Sequence, residues 1–425
     1  MEQTSAHVNA EKMSTRGALI IITFLFFMWG LLTSLNDVLI PHLKAIYDLN
    51  YVQAMLVQFC FFGAYFIVSI PAGSMIKKIG YQNGIVTGLL IAASGCAMFY
   101  PAAQGSYELF LFAFFILATG ITILQVAANP YVTVLGDSAT ASSRLTLTQA
   151  FNSLGTTVAP FLGGILILSV VSMSQADLAK LSGAEQLAQH AKEAASVQTP
   201  YLMLAATLVF LAIIFSVIKL PKIAEANEDI KVLKGQKSIF EYRHLVLGVI
   251  GIFVYVGGEV SIGSFMINFL GEKDVAGLAT ADASTYVGLY WGGAMVGRFI
   301  GFAVMRFVSP GKTLAFNALA AMALVMCAVF GQHQFAMWAI IAVGLCNSIM
   351  FPTIFSMSLN KLGEFTGQGS GLLCMAIVGG ALVPFIQGVL ADKFGLHLSF
   401  IVPAICYAYI AFFGLKYAGM YTKAE

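Results

Sequence analysis

Long apolar runs, separated by short polar stretches, recur along almost the whole chain. A helix needs about 20 apolar residues to cross the hydrocarbon core of a bilayer. Twelve segments meet that length: 18–46, 52–76, 84–103, 107–135, 145–171, 200–220, 244–270, 284–307, 313–331, 335–359, 366–390 and 397–419. Lipid offers the backbone no hydrogen-bond partners, so runs of this kind must bond internally as helices. The pattern predicts an all-α polytopic membrane protein with twelve transmembrane helices. The first run is too long for the apolar part of a cleaved signal and lacks a small-residue cleavage motif after it, so it is expected to be the first span. Two polar stretches interrupt the rhythm. Residues 172–199 are expected to form an external, partly helical loop. Residues 221–243 are charged and fall halfway through the span count. They are expected to link two six-helix bundles, 1–220 and 244–425.

Composition agrees: 59% of the 425 residues are hydrophobic and 10% charged, with mean hydropathy +0.86. A soluble domain carries about 25% charged residues. The net charge of +2 carries no message about nucleic acid, and none is expected as a partner. The placement of Lys and Arg is more informative, because cytoplasmic loops are enriched in them. With the N-terminus inside, Lys44, Lys180, Lys192, Lys273 and Lys393 fall outside, Arg298 falls within a span, and the remaining sixteen of the 22 lie on the cytoplasmic side. Both termini are therefore expected in the cytoplasm. The six cysteines all sit in apolar runs without a C-x-x-C pair, which points to buried apolar packing. No phosphate-binding G-x-x-x-x-G-K-[ST] loop occurs. Neither catalysis nor a bound cofactor is indicated.

The two halves correspond at an offset of about 222 residues. Pro130 matches Pro352, Gln125 matches Asn347, and Asp37 matches Glu259, while Pro160 and Pro384 are 224 apart. Internal repeats of this kind mark transporters whose site lies between the repeats near the bilayer midplane. Asp37 and Glu259 are the two carboxylates well inside the apolar spans. A carboxylate at bilayer depth costs on the order of 3 kcal/mol or more unless it faces a cavity, partner or ion.

Around them lie further polar groups. Asn36 precedes Asp37. Gln125, Asn129 and Thr133 share one face of span 4, and Pro130 deprives the Val126 carbonyl of its helical partner. Tyr255 and Glu259 are one turn apart in span 7. Carboxylates, amides and a freed carbonyl can bond sugar hydroxyls or coordinate a small cation. The candidate substrate site is Gln125, Asn129, Glu259, Asn347 and Tyr255, with Trp291 and Asn152 nearby. Trp291 could stack on the apolar face of a sugar ring. The candidate coupling groups are Asp37, Glu259, Asn36 and Thr133, with a Na⁺ near Asp37 as one option. Plainer readings stand beside these. The amides could join helices at about 0.6 kcal/mol per contact, Trp291 could belong to an interfacial belt, and Glu259 could pair with Arg298. That last pair is disfavoured by depth, since Arg298 lies toward the cytoplasmic end of its span.

Several of these segments resemble the major facilitator superfamily, and within it the fucose/glucose/galactose–cation symporters, especially the bacterial glucose/galactose branch. They are LNDVLIPHLK, QVAANPYVTVLG, TQAFNSLGT, YVGGEVSIGSF, YWGGAMVGRFIG, NSIMFPTIFSMSL and QGSGLLCMAIVGGALVP. The resemblance implies two pseudo-symmetric six-helix bundles rocking around a midplane sugar site, with Asp37 serving substrate or cation coupling. In the fucose–proton branch a glutamate stands where this chain has Gln125, and a neutral amide stands where it has Glu259. The expected protein is a monomeric importer of a monosaccharide in the bacterial inner membrane, driven by H⁺ or Na⁺, with glucose or galactose favoured. N-acetylglucosamine, mannose and fucose are alternative substrates. A sugar sensor or scaffold on the same fold, or a drug exporter, are the alternative classes.

Overall fold

The computed structural model describes residues 14–46, 51–102, 107–166, 182–218, 220–221 and 238–420, with the side chains at 35–46, 51–58, 160–166, 280–281 and most of 184–197 outside that description. The helices are α1 Thr15–Ile46, α2 Tyr51–Ile79, α3 Tyr81–Ala102, α4 Tyr107–Val134, α5 Ala141–Leu166, α6 Gly183–Val217, α7 Arg243–Gly271, α8 Thr280–Val304, α9 Pro310–Phe330, α10 His333–Asn347, α11 Met350–Leu359, α12 Thr366–Met375, α13 Gly379–Phe394, α14 Leu396–Ser399 and α15 Ile401–Lys416. Among the described residues, eleven helical stretches are long and apolar enough to cross a membrane. The pairs α10–α11, α12–α13 and α14–α15 each make one crossing. The crossing outside that count is α5, which carries Ser142, Thr146, Gln149 and Ser153 at helical spacing. Its polarity is explained by position, since α5 packs against α1, α4, α8 and α11.

The helices sort into two packed groups. In the first, α1 lies on α5 and α3 lies on α4 and α6; in the second, α9 lies on α10 and α15, and α7 on α13 and α15. The expected connector, 221–243, falls mostly on residues outside the described ones. Helix α6 begins earlier than the sixth span predicts. Ser182 accepts a bond from the Glu185 backbone while the Glu185 carboxylate accepts from the Ser182 backbone, a reciprocal cap that starts the helix at Gly183. The polar segment after residue 182 is thus the first part of this helix.

One proline, the repeat counterpart of Pro130, breaks the tenth crossing. Pro352 has no N–H to give to Ser348, and the helix is interrupted at Ser348–Ile349. At the end where α1 begins, Arg144 caps α4: its Nη2 donates to the Thr133 carbonyl at 2.8 Å and its Nε to that of Val132 at 3.3 Å.

The two groups meet along α2–α12, α4–α12, α5–α8 and α5–α11. The α2–α12 approach depends on glycine. A Cβ at Gly73 would lie 2.7 Å from the Gly367 carbonyl oxygen, and one at Gly371 would lie 2.6 Å from that of Ser69. Beside them Lys77 Nζ reaches Glu364 Oε2 at 3.2 Å. This pair is exposed and contributes little, about 0–1 kcal/mol; backbone proximity is what closes this end. Gly371→Leu is therefore expected to force α2 from α12, at a cost of about 1–3 kcal/mol. Carbodiimide coupling of Lys77 to Glu364, scored after proteolysis between the halves, should fall in this variant. An undiminished yield would show that the helices accommodate the side chain.

Candidate functional site

Polar groups inside the bundle form one cluster in each helix group, joined by an arginine. In the second group, Tyr255 and Glu259 lie one turn apart on α7, and the Tyr255 hydroxyl donates to Glu259 Oε1 at 2.7 Å. The same hydroxyl lies 3.2 Å from the Asn347 carbonyl oxygen at the end of α10. Asn347 Nδ2 donates to the Tyr290 hydroxyl of α8 at 2.7 Å, and that hydroxyl lies 3.3 Å from the Glu259 carbonyl oxygen. Tyr255, Tyr290 and Asn347 are fully enclosed, whereas Glu259 is only partly buried.

In the first group, Gln125 Nε2 donates to the Tyr65 hydroxyl of α2 at 2.6 Å. One turn on, Asn129 Oδ1 accepts from Gln149 Nε2 of α5 at 3.4 Å. Three amides are thus half-committed: Gln125 Oε1, Asn129 Nδ2 and Asn347 Oδ1 are buried without a hydrogen-bond partner. Each such atom costs about 1–3 kcal/mol while unsatisfied.

Arg298 of α8 connects the clusters. Its Nε donates to the Ser348 carbonyl at 3.1 Å, the acceptor that Pro352 leaves free. Its Nη1 reaches the Gln149 carbonyl at 3.4 Å and bonds the Ser153 hydroxyl, both on α5. The guanidinium charge also acts on Glu259 and Tyr255, although no ion pair joins Arg298 to Glu259 among the described residues. The carbonyl freed by Pro130 meets the opposite group too: the Ser370 hydroxyl of α12 donates to Val126 O at 2.9 Å.

The other candidate residues lie as follows. Asn152 donates from Nδ2 to the Phe26 carbonyl at 3.0 Å and so joins α5 to α1. The Thr133 hydroxyl turns back to the Pro130 carbonyl of its own helix at 2.7 Å. Trp291 is 44% exposed; its ring meets Tyr290 edge-on at 5.0 Å and covers Gly263, one turn beyond Glu259. The side chains of Asn36 and Asp37, and with them the possible Na⁺ position, lie outside the described residues. Sequence reasoning passed over Tyr65, Gln149 and Ser153, and treated Arg298 only as a partner for Glu259. The polar stripe of α5 was a usable signal for two of them.

Away from these clusters, ligand atoms of Glu272, Asp274 and His397 lie within 4.8 Å of one another. His397 Nε2 is 3.0 Å from Glu272 Oε2 and 3.4 Å from Asp274 Oδ2, an ion-pair arrangement for a protonated imidazole. It ties the loop after α7 to α14.

The family model described as Major Facilitator Superfamily matches residues 19–377. A glucose/galactose transporter of Brucella abortus (biovar 1, strain 9-941) is 59% identical over 411 residues, covering 96% of each chain. The L-fucose-proton symporter of Escherichia coli K12 is 36% identical over 427 residues, covering 97% of this chain and 96% of its own. The crystal structure of FucP, a transporter of the same superfamily in the outward conformation, superposes with a TM-score of 0.86 at 34% identity, covering 96% of this chain and 99% of its own.

Proposed function

The chain belongs to the major facilitator superfamily, and on that premise we propose that it imports glucose or galactose together with H⁺ or Na⁺. It is a multi-pass membrane transporter of the sugar-symporter type rather than an enzyme. The names of the similar glucose/galactose transporters favour the hexose. The half-committed amides at Gln125, Asn129 and Asn347 carry the reading in structural terms. A pyranose presents hydroxyls that both donate and accept, and two orphan acceptors with one orphan donor are what such a ligand would satisfy. Enclosed as they are here, these atoms would meet substrate only as the two helix groups shift, which is what alternating access requires.

The end sealed by α2–α12 is taken as cytoplasmic, following the Lys and Arg bias. In this reading the structure is a state shut toward the cytoplasm, both termini are cytoplasmic, the boundaries 1–220, 221–243 and 244–425 mark the two bundles and their connector, and the protein works as a monomer. Gln125 leaves the first cluster without a carboxylate at that position, so we assign the driving ion to Asp37 and the sugar hydroxyls chiefly to Glu259.

The test is counterflow in proteoliposomes, with labelled glucose, galactose, mannose, fucose and N-acetylglucosamine under imposed Na⁺ or pH gradients. Glucose and galactose are expected to exchange fastest, and one ion gradient alone should drive accumulation. Preferred exchange of another sugar would overturn the substrate, and no exchange of any sugar would favour a sensor or scaffold.

A further inference from the structure

We propose that Arg298 is an inter-bundle latch that holds the sealed end shut. The inference rests on the transport reading above. The guanidinium has donors in a fixed fork, and here the fork straddles the two groups. One arm holds the Ser348 carbonyl of its own group, where Pro352 has removed the helical N–H. The other holds Gln149 O and the Ser153 hydroxyl of α5 across the interface. These are charge-assisted bonds made to groups already withdrawn from water, so breaking them leaves acceptors unsatisfied.

The surroundings show what the latch secures. On the side of Arg298 toward the sealed end, the Ser143 hydroxyl donates to the Phe302 carbonyl at 2.8 Å, and the Ser142 and Ser356 hydroxyls lie 2.6 Å apart. These neutral cross-group bonds persist only while α5 stays against α8 and α11. Arg298 thus acts through position, tying the broken tenth crossing of one group to α5 of the other.

The reporter is alkylation of S356C by a maleimide, in membranes from cells expressing the full chain with C60S and C327S as background. Arg298→Ala is expected to raise the alkylation rate at least about ten-fold, the loss of one charged hydrogen bond. Ser153→Ala, which leaves the charge in place, should give a smaller rise of the same sign. Arg298→Lys should fall between the parent and the alanine variant, since it keeps charge but loses the fork; it also guards against misfolding of the alanine variant. Unchanged alkylation in both Arg298→Ala and Ser153→Ala would overturn the latch. Parallel counterflow separates this from the transport reading: absence of sugar exchange in the parent protein refutes transport, while the alkylation pattern still reports on the latch.

Discussion

Replacing Glu259 with glutamine is expected to weaken sugar binding about 10- to 100-fold, the equivalent of losing a charged acceptor worth roughly 1.5–3 kcal/mol. The geometry makes this a clean change of charge. Glu259 Oε1 already accepts from the Tyr255 hydroxyl at 2.7 Å, and a glutamine oxygen can accept the same bond. The phenol has one proton and a second acceptor, Asn347 O, at 3.2 Å, so its place is held from two sides. What the variant removes is the negative charge facing the partly exposed side of α7. Tyr255→Phe is the contrasting change: it keeps the charge and removes a neutral donor, for an expected loss of only about 2- to 10-fold. Trp291 offers the readout, because its ring covers Gly263, one turn from Glu259. Titration of its fluorescence with galactose gives affinity without a gradient. If both variants bind sugar like the parent while Glu259→Gln fails to accumulate it, then Glu259 holds the driving ion and the roles assigned to the two carboxylates are reversed.

The crossings were legible in the sequence because lipid leaves the backbone few options, and the apolar runs map closely onto helices. The amphiphilic segment before Gln198 was harder to read. Its alanines and glutamines suit helix and loop alike, and the Ser182–Glu185 cap that decides for helix is a local bond, not a hydropathy signal. The individual polar residues of the site were legible for a physical reason: Gln125, Asn129, Glu259 and Asn347 are costly in an apolar setting and stand out singly. Their partners did not stand out. Tyrosine is common in membrane helices, so nothing marked Tyr65 or Tyr290 as the hydroxyls that hold Gln125 and Asn347. Arg298 was visible as a charge, yet its partners are two backbone carbonyls and a serine, which no pattern of opposite charges could reveal. The repeat came closest. Offsetting Pro130 by 222 residues finds Pro352, and the two carbonyls these prolines release become acceptors for Ser370 and Arg298. The duplication thus supplied the vacant acceptors, and Ser370 has a hydroxyl counterpart in Thr148 at the same offset, whereas Arg298 maps onto the apolar Ile76.

Asp37→Asn is expected to abolish accumulation of sugar against a gradient while exchange of sugar at equal concentrations survives in part. An ionised carboxylate within the apolar part of α1 opposes reorientation unless a cation or proton neutralises it, at a cost on the order of 3 kcal/mol. That cost links the two fluxes: the unneutralised carrier seldom reorients, so sugar moves with the ion. Asparagine removes the charge permanently. The site can then reorient with sugar alone, and an ion gradient has nothing to act on. Exchange needs only the loaded form to shuttle, so it continues at a rate set by binding. The measurement is paired: accumulation of labelled galactose under an imposed Na⁺ or pH gradient, and counterflow of the same sugar with no gradient. Loss of both would indicate a binding or folding role for Asp37, which direct binding by Trp291 fluorescence would distinguish. Parent-like accumulation would show that the driving ion is read elsewhere. Glu259 would then be the remaining intramembrane carboxylate able to read it.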